Sequence, residues 1–163
     1  MIEEKLSVTH TIKKLPKLKI ECYPHGERHL NDYLGQWLVL YFYPRDDTPG
    51  CTQESNDFSA HYKKFTSNKC QVVGVSRDTM KSHEKFASKY ELPFDLISDP
   101  DEKLCERFHV MKSKNMYGKQ VRGIERSTFL FDPEGKLLEE WRKVKVTGHV
   151  EDVLNELMKL RKL

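Results

Sequence analysis

The chain has 163 residues, of which 37% are hydrophobic and 33% are charged, and its net charge is +3. This size and composition predict one globular domain, residues 1–163, and exclude a disordered chain. No apolar run approaches the roughly 20 residues of a membrane helix, and no signal-peptide pattern opens the chain. Because positive and negative charges are interspersed, we expect a protein that binds neither nucleic acid nor membrane. We also expect it to be cytoplasmic.

The first predicted elements lead up to one strongly apolar strand. Residues 1–16 are polar and weakly patterned, and alternation over residues 17–22 predicts a half-buried strand. A turn at residues 24–26 and a short helical turn that ends at Gly35 come next. Residues 37–43 are almost all apolar, which is typical of a central strand covered on both faces.

The rest of the chain alternates between helical and strand patterns. Helices are predicted over residues 51–65, 81–90, 102–108 and 150–160, and strands over residues 70–76, 94–97, 126–131 and 136–141. Residues 111–123 follow neither period, so we expect a loop there. Residues 132–135 have the composition of a type I turn and join the last two strands into a hairpin.

This order of elements predicts the fold class. Strands separated by helices favour parallel pairing with helices on both faces, and the final hairpin adds an antiparallel edge. We therefore expect an α/β, thioredoxin-like fold with a central, mainly parallel mixed β-sheet flanked by helices. Ligands bind such sheets where a central strand ends and the following helix begins. Cys51 falls at that point.

Cys51 has the position of a reactive thiol. It follows an apolar run that stops at Pro44 and a short polar loop, and it stands in the first turn of a predicted helix. Unpaired N–H groups and the positive end of the helix dipole favour the thiolate, which is the nucleophilic form. The other cysteines, Cys22, Cys70 and Cys105, lie in strand or helix patterns and are expected to be buried free thiols.

We expect neither a metal ion nor a cofactor. Cys22, His25 and His29 have a spacing that could be drawn as a metal site. That set offers three ligands around a turn through Gly26, whereas structural zinc sites use four.

The residues around Cys51 also carry a family motif. Pro44, Thr48 and Cys51 follow the pattern Pro-x-x-x-Thr-x-x-Cys, and the chain resembles the peroxiredoxins, in particular the bacterioferritin comigratory protein / peroxiredoxin Q group. The resemblance runs from about residue 30 to the C-terminus. It is strongest in residues 41–52 (YFYPRDDTPGCT), 116–119 (MYGK) and 123–135 (GIERSTFLFDPEG).

The resemblance implies a thiol peroxidase that reduces hydrogen peroxide and organic hydroperoxides. Cys51 would attack the peroxide and become a sulfenic acid. Arg126, carried over from the family, would hold the thiolate charged and stabilise the leaving oxygen. The Thr48 hydroxyl would orient the peroxide, Pro44 would cover the loop, and Glu54 would orient the guanidinium.

Thr48 has a second interpretation that rests on its position alone. It precedes Pro49, and threonine followed by proline is a favoured start of a helix. Its side chain would then bond the Cys51 N–H, and both roles can hold in the same site.

The familiar partners for an intramolecular disulfide are missing. Members of the group carry a resolving cysteine five residues after the first or in the next helix, and this chain has Asn56 and Ala87 there. We therefore expect a one-cysteine cycle, in which an external thiol such as thioredoxin, glutaredoxin or glutathione reduces Cys51. The resemblance also implies a monomer, because the group is often monomeric and the sequence has no large apolar stripe left over for an interface. Whether Cys22, Cys70 or Cys105 takes the resolving role stays open.

Two other functions are kept as alternatives. One is a redox sensor or chaperone-like module without turnover, which intact Thr48, Cys51 and Arg126 argue against. The other is a thiol–disulfide oxidoreductase, which needs a second nearby thiol that residues 51–54 do not supply.

Overall fold

The computed structural model describes residues 12–163, so most of the predicted N-terminal segment, residues 1–11, lies outside the described residues. Within them there are nine strands, five α-helices and one 3-10 turn. The strands are β1 Lys19–Tyr23, β2 Gly26–His29, β3 Trp37–Phe42, β4 Cys70–Ser76, β5 Asp95–Ser98, β6 Met111–Met116, β7 Lys119–Ile124, β8 Ser127–Phe131 and β9 Leu137–Arg142. The helices are α1 Pro49–Ala60, α2 Tyr62–Ser67, α3 Met80–Tyr90, α4 Lys103–Arg107 and α5 His149–Arg161, and the 3-10 turn is Leu30–Tyr33.

Seven strands form one mixed sheet in the order β2–β1–β5–β4–β3–β8–β9. The predicted mixed sheet with flanking helices is confirmed. Its parallel part is smaller than the expected "mainly parallel" sheet, because β3–β4 and β4–β5 are parallel whereas the other four pairings are antiparallel. The reason is that both edges of the sheet are hairpins, β1–β2 and β8–β9, and short turns join only antiparallel strands.

The prediction of a loop over residues 111–123 is wrong. Strands β6 and β7 pair along their whole length as a separate two-stranded sheet. Their turn has positive φ at Tyr117 (53°) and at Gly118 (78°), as a tight hairpin turn requires. Nearly every side chain of the hairpin is exposed, and Ile124 is its only buried residue. A hairpin with water on both faces has no alternation of apolar and polar residues, so its sequence lacks the usual signal.

Two other boundaries differ from the expectation. The turn after β1 leads into β2, a short edge strand that was not predicted and that exposes half of its residues. The predicted helix over residues 51–65 is divided at His61, whose φ of −101° and ψ of 5° end α1 and begin α2. Phe58 and Phe65 still enter the same core on either side of this break.

The two faces of β3 cover two different core layers. Leu38 and Phe42 face the layer that contains Phe108 of the α4 C-terminus, whereas Val39 and Tyr41 face the layer formed with α1, α2, α3 and α5. The five residues of β3 that follow its half-buried Trp37 are all buried, as is Tyr43 directly after the strand, which a central strand with two covered faces requires.

The four cysteines are divided between these layers. Cys22 and Cys105 lie in the first, and Cys51 and Cys70 in the second. All four are buried free thiols, which confirms the expected burial of Cys22, Cys70 and Cys105. In residues 12–163 no helix has the length and apolar composition needed to cross a membrane.

A close approach between β3 and β4 helps to position α1. Tyr41 pairs with Gly74 across the parallel strands, and its hydroxyl lies 2.8 Å from Ser55 Oγ of α1. A Cβ atom at Gly74 would lie 2.9 Å from Tyr41 Cζ and 2.9 Å from Leu96 Cδ2. Both distances are shorter than a van der Waals contact, so the tyrosine ring depends on glycine at this position.

We expect Gly74→Ala to lower the free energy of unfolding by about 1–3 kcal/mol, the usual cost of overpacking a dense core. Urea denaturation followed by circular dichroism measures this change. Gln71→Ala, a half-buried position on the same strand, serves as the control and is expected to stay within about 0.5 kcal/mol of the wild type. Equal stability of Gly74→Ala and the wild type would contradict the packing argument.

Candidate active site

Cys51 stands in the first turn of α1, at the end of the sheet where β3 stops. Strand β3 ends at Phe42, and α1 begins at Pro49 after an extended Thr48 with φ −102° and ψ 156°. Proline suits the first helical position because it has no N–H to leave unpaired. Cys51 is 1% exposed, so its sulfur lies in the positive first turn of the helix and away from bulk water.

Arg126 is the charged partner of this sulfur. It directly precedes β8, whose Ser127 pairs with Phe42 at the end of β3. Its Nη2 lies 3.5 Å from Cys51 Sγ, and its Nη1 donates to Glu54 Oε1 at 2.7 Å. The guanidinium therefore bridges the cysteine and the carboxylate one helical turn further along α1.

Gly50 is a site residue that the sequence analysis missed. A Cβ atom at this position would lie 3.2 Å from Arg126 Nη2, closer than most side-chain contacts. The absence of a side chain lets the guanidinium reach the first turn of the helix. The residue type was visible in the sequence, but its neighbour across the fold was not.

Burial controls the charge state of this cluster. The Glu54 side chain is fully buried, which raises its pKa to about 7 even though Arg126 opposes the shift. Among the described residues, Glu54 Oε2 has no hydrogen-bond partner. Burial alone would lower the pKa of Arg126, but Glu54 and Cys51 outweigh it and raise that pKa. The cation is therefore permanent, and the carboxyl is the group that titrates.

Thr48 and Pro44 lie in the loop between β3 and α1. Thr48 occupies the cap position of the helix, but its side chain makes no cap bond, and its Oγ1 donates to the Arg45 carbonyl at 2.9 Å. The predicted bond from its hydroxyl to the Cys51 N–H is therefore wrong, because the local turn offers that hydroxyl a backbone acceptor.

Pro44 is exposed and lines an open cavity of about 360 Å³ beside the site. Arg126 and Ile124 also line this cavity, together with the cationic residues Lys114 and Lys143. The cavity lies between the loop, the β6–β7 hairpin and the segment after β9. It gives the neighbourhood of Arg126 an opening to solvent.

A buried histidine lies in the same region, and no sequence signal distinguished it from the other scattered histidines. His149 Nε2 is 2.8 Å from Thr128 Oγ1, and its ring packs edge-on against Trp141 and Phe58. Burial lowers the pKa of His149 to about 4, and the Arg126 charge acts in the same direction. The ring is therefore neutral at pH 7 and adds no charge to the cluster.

No other thiol lies close to Cys51 in the part of the chain that the structure describes. Cys22 and Cys105 are separated from it by the sheet, because they belong to the opposite core layer. Cys70 pairs with Trp37 at the start of β3. A strand advances roughly 3.3 Å per residue, which puts the far end of β3 on the order of 17 Å from Cys70. The loop that leads to Cys51 starts at that far end. Asn56 is exposed on α1 and Ala87 is buried in α3.

One group of side chains in the described residues has the spacing of metal ligands. Asp46, Asp78 and His83 offer ligand atoms that all lie within 4.8 Å of one another. Their polar atoms already bond to groups of the protein: His83 contacts Asp46 and the Ile97 carbonyl, and Asp78 accepts from Ser76. These hydrogen bonds account for the cluster without an ion.

The chain that carries this cluster is similar to known proteins. The model of the AhpC/TSA family matches residues 12–139. Peroxiredoxin Bcp of Xanthomonas campestris is 56% identical over 128 residues, covering 78% of this chain and 80% of the relative. Peroxiredoxin Bcp of Bacillus subtilis is 49% identical over 146 residues, covering 89% of this chain and 92% of the relative.

Solved structures agree with the sequence relatives. Peroxiredoxin Q of Xanthomonas campestris superimposes with a TM-score of 0.85 at 48% identity, covering 92% of this chain and 98% of that one. A trapped intermediate and ligand complex of the bacterioferritin comigratory protein of the same organism gives a TM-score of 0.86 at 48% identity, covering 91% and 96%. The resemblance drawn from the motifs is confirmed, and the chain belongs to the AhpC/TSA family, in its group of Bcp and Q peroxiredoxins.

Proposed function

We propose that this protein is a thiol-dependent peroxidase in which Cys51 reduces hydrogen peroxide and organic hydroperoxides. The observation that carries the proposal is the contact of one guanidinium, Arg126, with both Cys51 Sγ at 3.5 Å and Glu54 at 2.7 Å. A buried cation beside a cysteine at a helix start favours a thiolate. The related bacterioferritin comigratory protein of Xanthomonas campestris has alkyl peroxide reduction activity, which supports the same chemistry here.

In the first step, the Cys51 thiolate attacks one oxygen of the peroxide and the O–O bond breaks. The sulfur is oxidised to a sulfenic acid, and the other oxygen leaves as hydroxide or alkoxide and takes up a proton. Negative charge moves from the sulfur to the leaving oxygen, and Arg126 is placed to stabilise it at both positions. Thr48 would orient the peroxide with its hydroxyl, while Pro44 covers the loop and Glu54 fixes the guanidinium.

In the second step, an external thiol attacks the sulfenic acid. Water leaves and a mixed disulfide forms, which a second thiol reduces to restore Cys51. The separation of Cys51 from the other three cysteines supports this one-cysteine cycle. Thioredoxin is the reductant that we propose, with glutaredoxin and glutathione as the other candidates.

The cellular context is part of the same proposal. Four free thiols are typical of a reducing compartment, which supports a cytoplasmic location. We also propose a monomer, because the large apolar side chains exposed in the described residues belong to separate segments: Leu34, Met158 and Leu163 lie outside the β6–β7 hairpin that carries Met116, Tyr117 and Val121.

We expect Cys51→Ser to abolish peroxide turnover, since the serine hydroxyl is not ionised at neutral pH. The triple variant Cys22→Ala/Cys70→Ala/Cys105→Ala is the matched control and is expected to retain turnover with thioredoxin. A steady-state peroxidase assay measures both.

Mass spectrometry of the peroxide-treated wild type separates the one-cysteine cycle from an intramolecular one. A high yield of a disulfide between Cys51 and another cysteine would contradict the one-cysteine cycle. A wild type without turnover with any thiol would support a sensor or chaperone-like module instead of an enzyme.

We expect Arg126→Ala to slow the oxidation of Cys51 by peroxide about 10²–10³-fold, the usual effect of removing one group that stabilises developing charge. It should also reduce the ultraviolet absorbance of the thiolate at neutral pH. Arg126→Lys is the control, because it keeps the charge but cannot contact Cys51 and Glu54 at once. Single-turnover kinetics measure the rate. An unchanged thiolate absorbance in Arg126→Ala would exclude the proposed role.

Because the pKa of Glu54 is raised, we expect the stability of the protein to depend on pH. Its pKa is raised by burial from 4.5 to about 7, so between these values the unfolded chain has lost the proton that the folded chain keeps. The free energy of unfolding should therefore fall as the pH rises from 4.5 to 7 and then level off. Glu54→Gln cannot titrate, so this part of the slope should be absent in urea denaturation of the variant. If the free energies of unfolding of the wild type and of Glu54→Gln changed with pH in parallel, the raised pKa would be ruled out.

A further inference from the structure

The loop that leads to Cys51 is tied to α3 by two consecutive carboxylates. Asp46 accepts from Ser82 Oγ at 2.8 Å and contacts His83 Nδ1 at 2.8 Å. Asp47 accepts from Lys89 Nζ at 2.9 Å and from Tyr90 Oη at 2.6 Å. The Asp47 contacts are at the surface, where an ion pair contributes little. The Asp46 contacts are buried, so they restrain the loop more strongly.

His83 has acceptors on both sides of its ring. Its Nδ1 lies 2.8 Å from Asp46 Oδ2, and its Nε2 lies 2.9 Å from the Ile97 carbonyl oxygen. A neutral imidazole can donate only one hydrogen bond, whereas both of these partners accept. Each contact is therefore a hydrogen bond only where the ring nitrogen that faces it carries a hydrogen. The ring is fully buried, so it joins β5, α3 and the loop without competition from water.

Further hydrogen bonds place Asp46 in one orientation. Tyr43 Oη donates to Asp46 Oδ1 at 2.6 Å, and the Asp46 backbone N–H donates to Asp78 Oδ2 at 2.8 Å. Asp78 in turn accepts from Ser76 Oγ at 2.5 Å, at the end of β4. The side chain and the backbone of residue 46 are thus both held, by α3 and by the carboxyl end of the sheet.

This orientation reaches Thr48 through one peptide unit. The N–H of Asp46 and the C=O of Arg45 belong to the same planar group, so they move together. The N–H is held by Asp78, and the C=O accepts the Thr48 hydroxyl at 2.9 Å. Any rotation of that peptide plane therefore moves the acceptor that holds the Thr48 hydroxyl, three residues before Cys51.

We propose that His83 is a positioning residue for peroxide reduction. By donating from Nδ1 to Asp46, it holds the Arg45–Asp46 peptide and thereby the Thr48 hydroxyl in the orientation that the peroxide step needs. The inference rests on the proposed function, because it concerns the same step at Cys51. The orientation of the peroxide then depends on the buried contact between Asp46 and His83, which lies outside the cluster of Cys51, Glu54 and Arg126.

Two amide variants separate the two hydrogen bonds of His83. The amide nitrogen of Asn occupies the place of Nδ1, and that of Gln occupies the place of Nε2. His83→Asn therefore keeps the bond to Asp46 and loses the bond to Ile97, whereas His83→Gln does the reverse. Both variants replace the imidazole with an uncharged amide, so they differ mainly in whether the loop is held.

The expected result is a split in peroxide reactivity. Single-turnover oxidation of Cys51 by hydrogen peroxide should be about tenfold slower or more in His83→Gln and within about threefold of the wild type in His83→Asn, as expected for loss of orientation. Alkylation of Cys51 by iodoacetamide needs the thiolate but not the Thr48 hydroxyl, and it should not slow in either variant. Glu84→Gln, an exposed neighbour on α3, is expected to match the wild type in both reactions.

Equal peroxide rates in the two His83 variants would overturn the positioning role, and so would a parallel loss of alkylation. If His83→Gln does not fold, Asp78→Ala and Asp78→Asn test the same peptide: the alanine variant should be slow and the asparagine variant close to the wild type. Equal rates in that pair would overturn the proposal as well. A wild type that does not react with peroxide would contradict the proposed function itself.

Discussion

The ion pair between Arg126 and Glu54, with Cys51 on the other side of the guanidinium, is the interaction on which the site depends. One permanent cation serves two groups that can be negative; Cys51 and Glu54 are buried, and Arg126 is partly buried. A cation removed from water needs a well-placed partner, because a poor contact does not offset the free energy of desolvation. Glu54 is that partner, yet burial raises its pKa to about 7, so its charge is only weakly held. In the proposed mechanism, the guanidinium can therefore share its charge with the sulfur and with a leaving oxygen.

The sheet brings this arrangement together from distant parts of the chain. Cys51 and Arg126 are 75 residues apart, and the antiparallel register of β3 and β8, in which Phe42 faces Ser127, places them at the same edge. Gly50 has no side chain, so the guanidinium can approach the first turn of the helix. The same edge collects the ends of β4 and β5, where Ser76 and the Ile97 carbonyl take part in the network that holds the loop. One end of the sheet thus carries both the groups that we propose to react and the groups that we propose to orient them.

The sequence was informative where a signal is local. Hydrophobic periodicity and flanking turn residues mark the apolar run of β3, the helix that begins near Cys51 and the strand Cys70–Ser76. The family motif added Arg126. The β6–β7 hairpin was missed because water covers both of its faces, so no alternation marks it. The Asp46–His83 pair was missed for another reason: its partners are 37 residues apart, and a tertiary hydrogen bond leaves no periodic trace. The orientation of the Thr48 hydroxyl depends on a local turn whose acceptor is backbone, which side-chain patterns do not reveal.

The distribution of cysteines over two core layers also limits how the oxidised site can be restored. A sulfenic acid at Cys51 is separated by the sheet from Cys22 and Cys105 and by the length of β3 from Cys70. An intramolecular disulfide would require the core itself to open, whereas an external thiol needs only the first turn of α1 and the loop before it to give way. The Asp46 and Asp47 contacts hold that loop against α3. The contacts that we propose to orient the peroxide therefore also oppose the approach of the reductant, so the two half-reactions of the proposed cycle place opposite demands on the same loop.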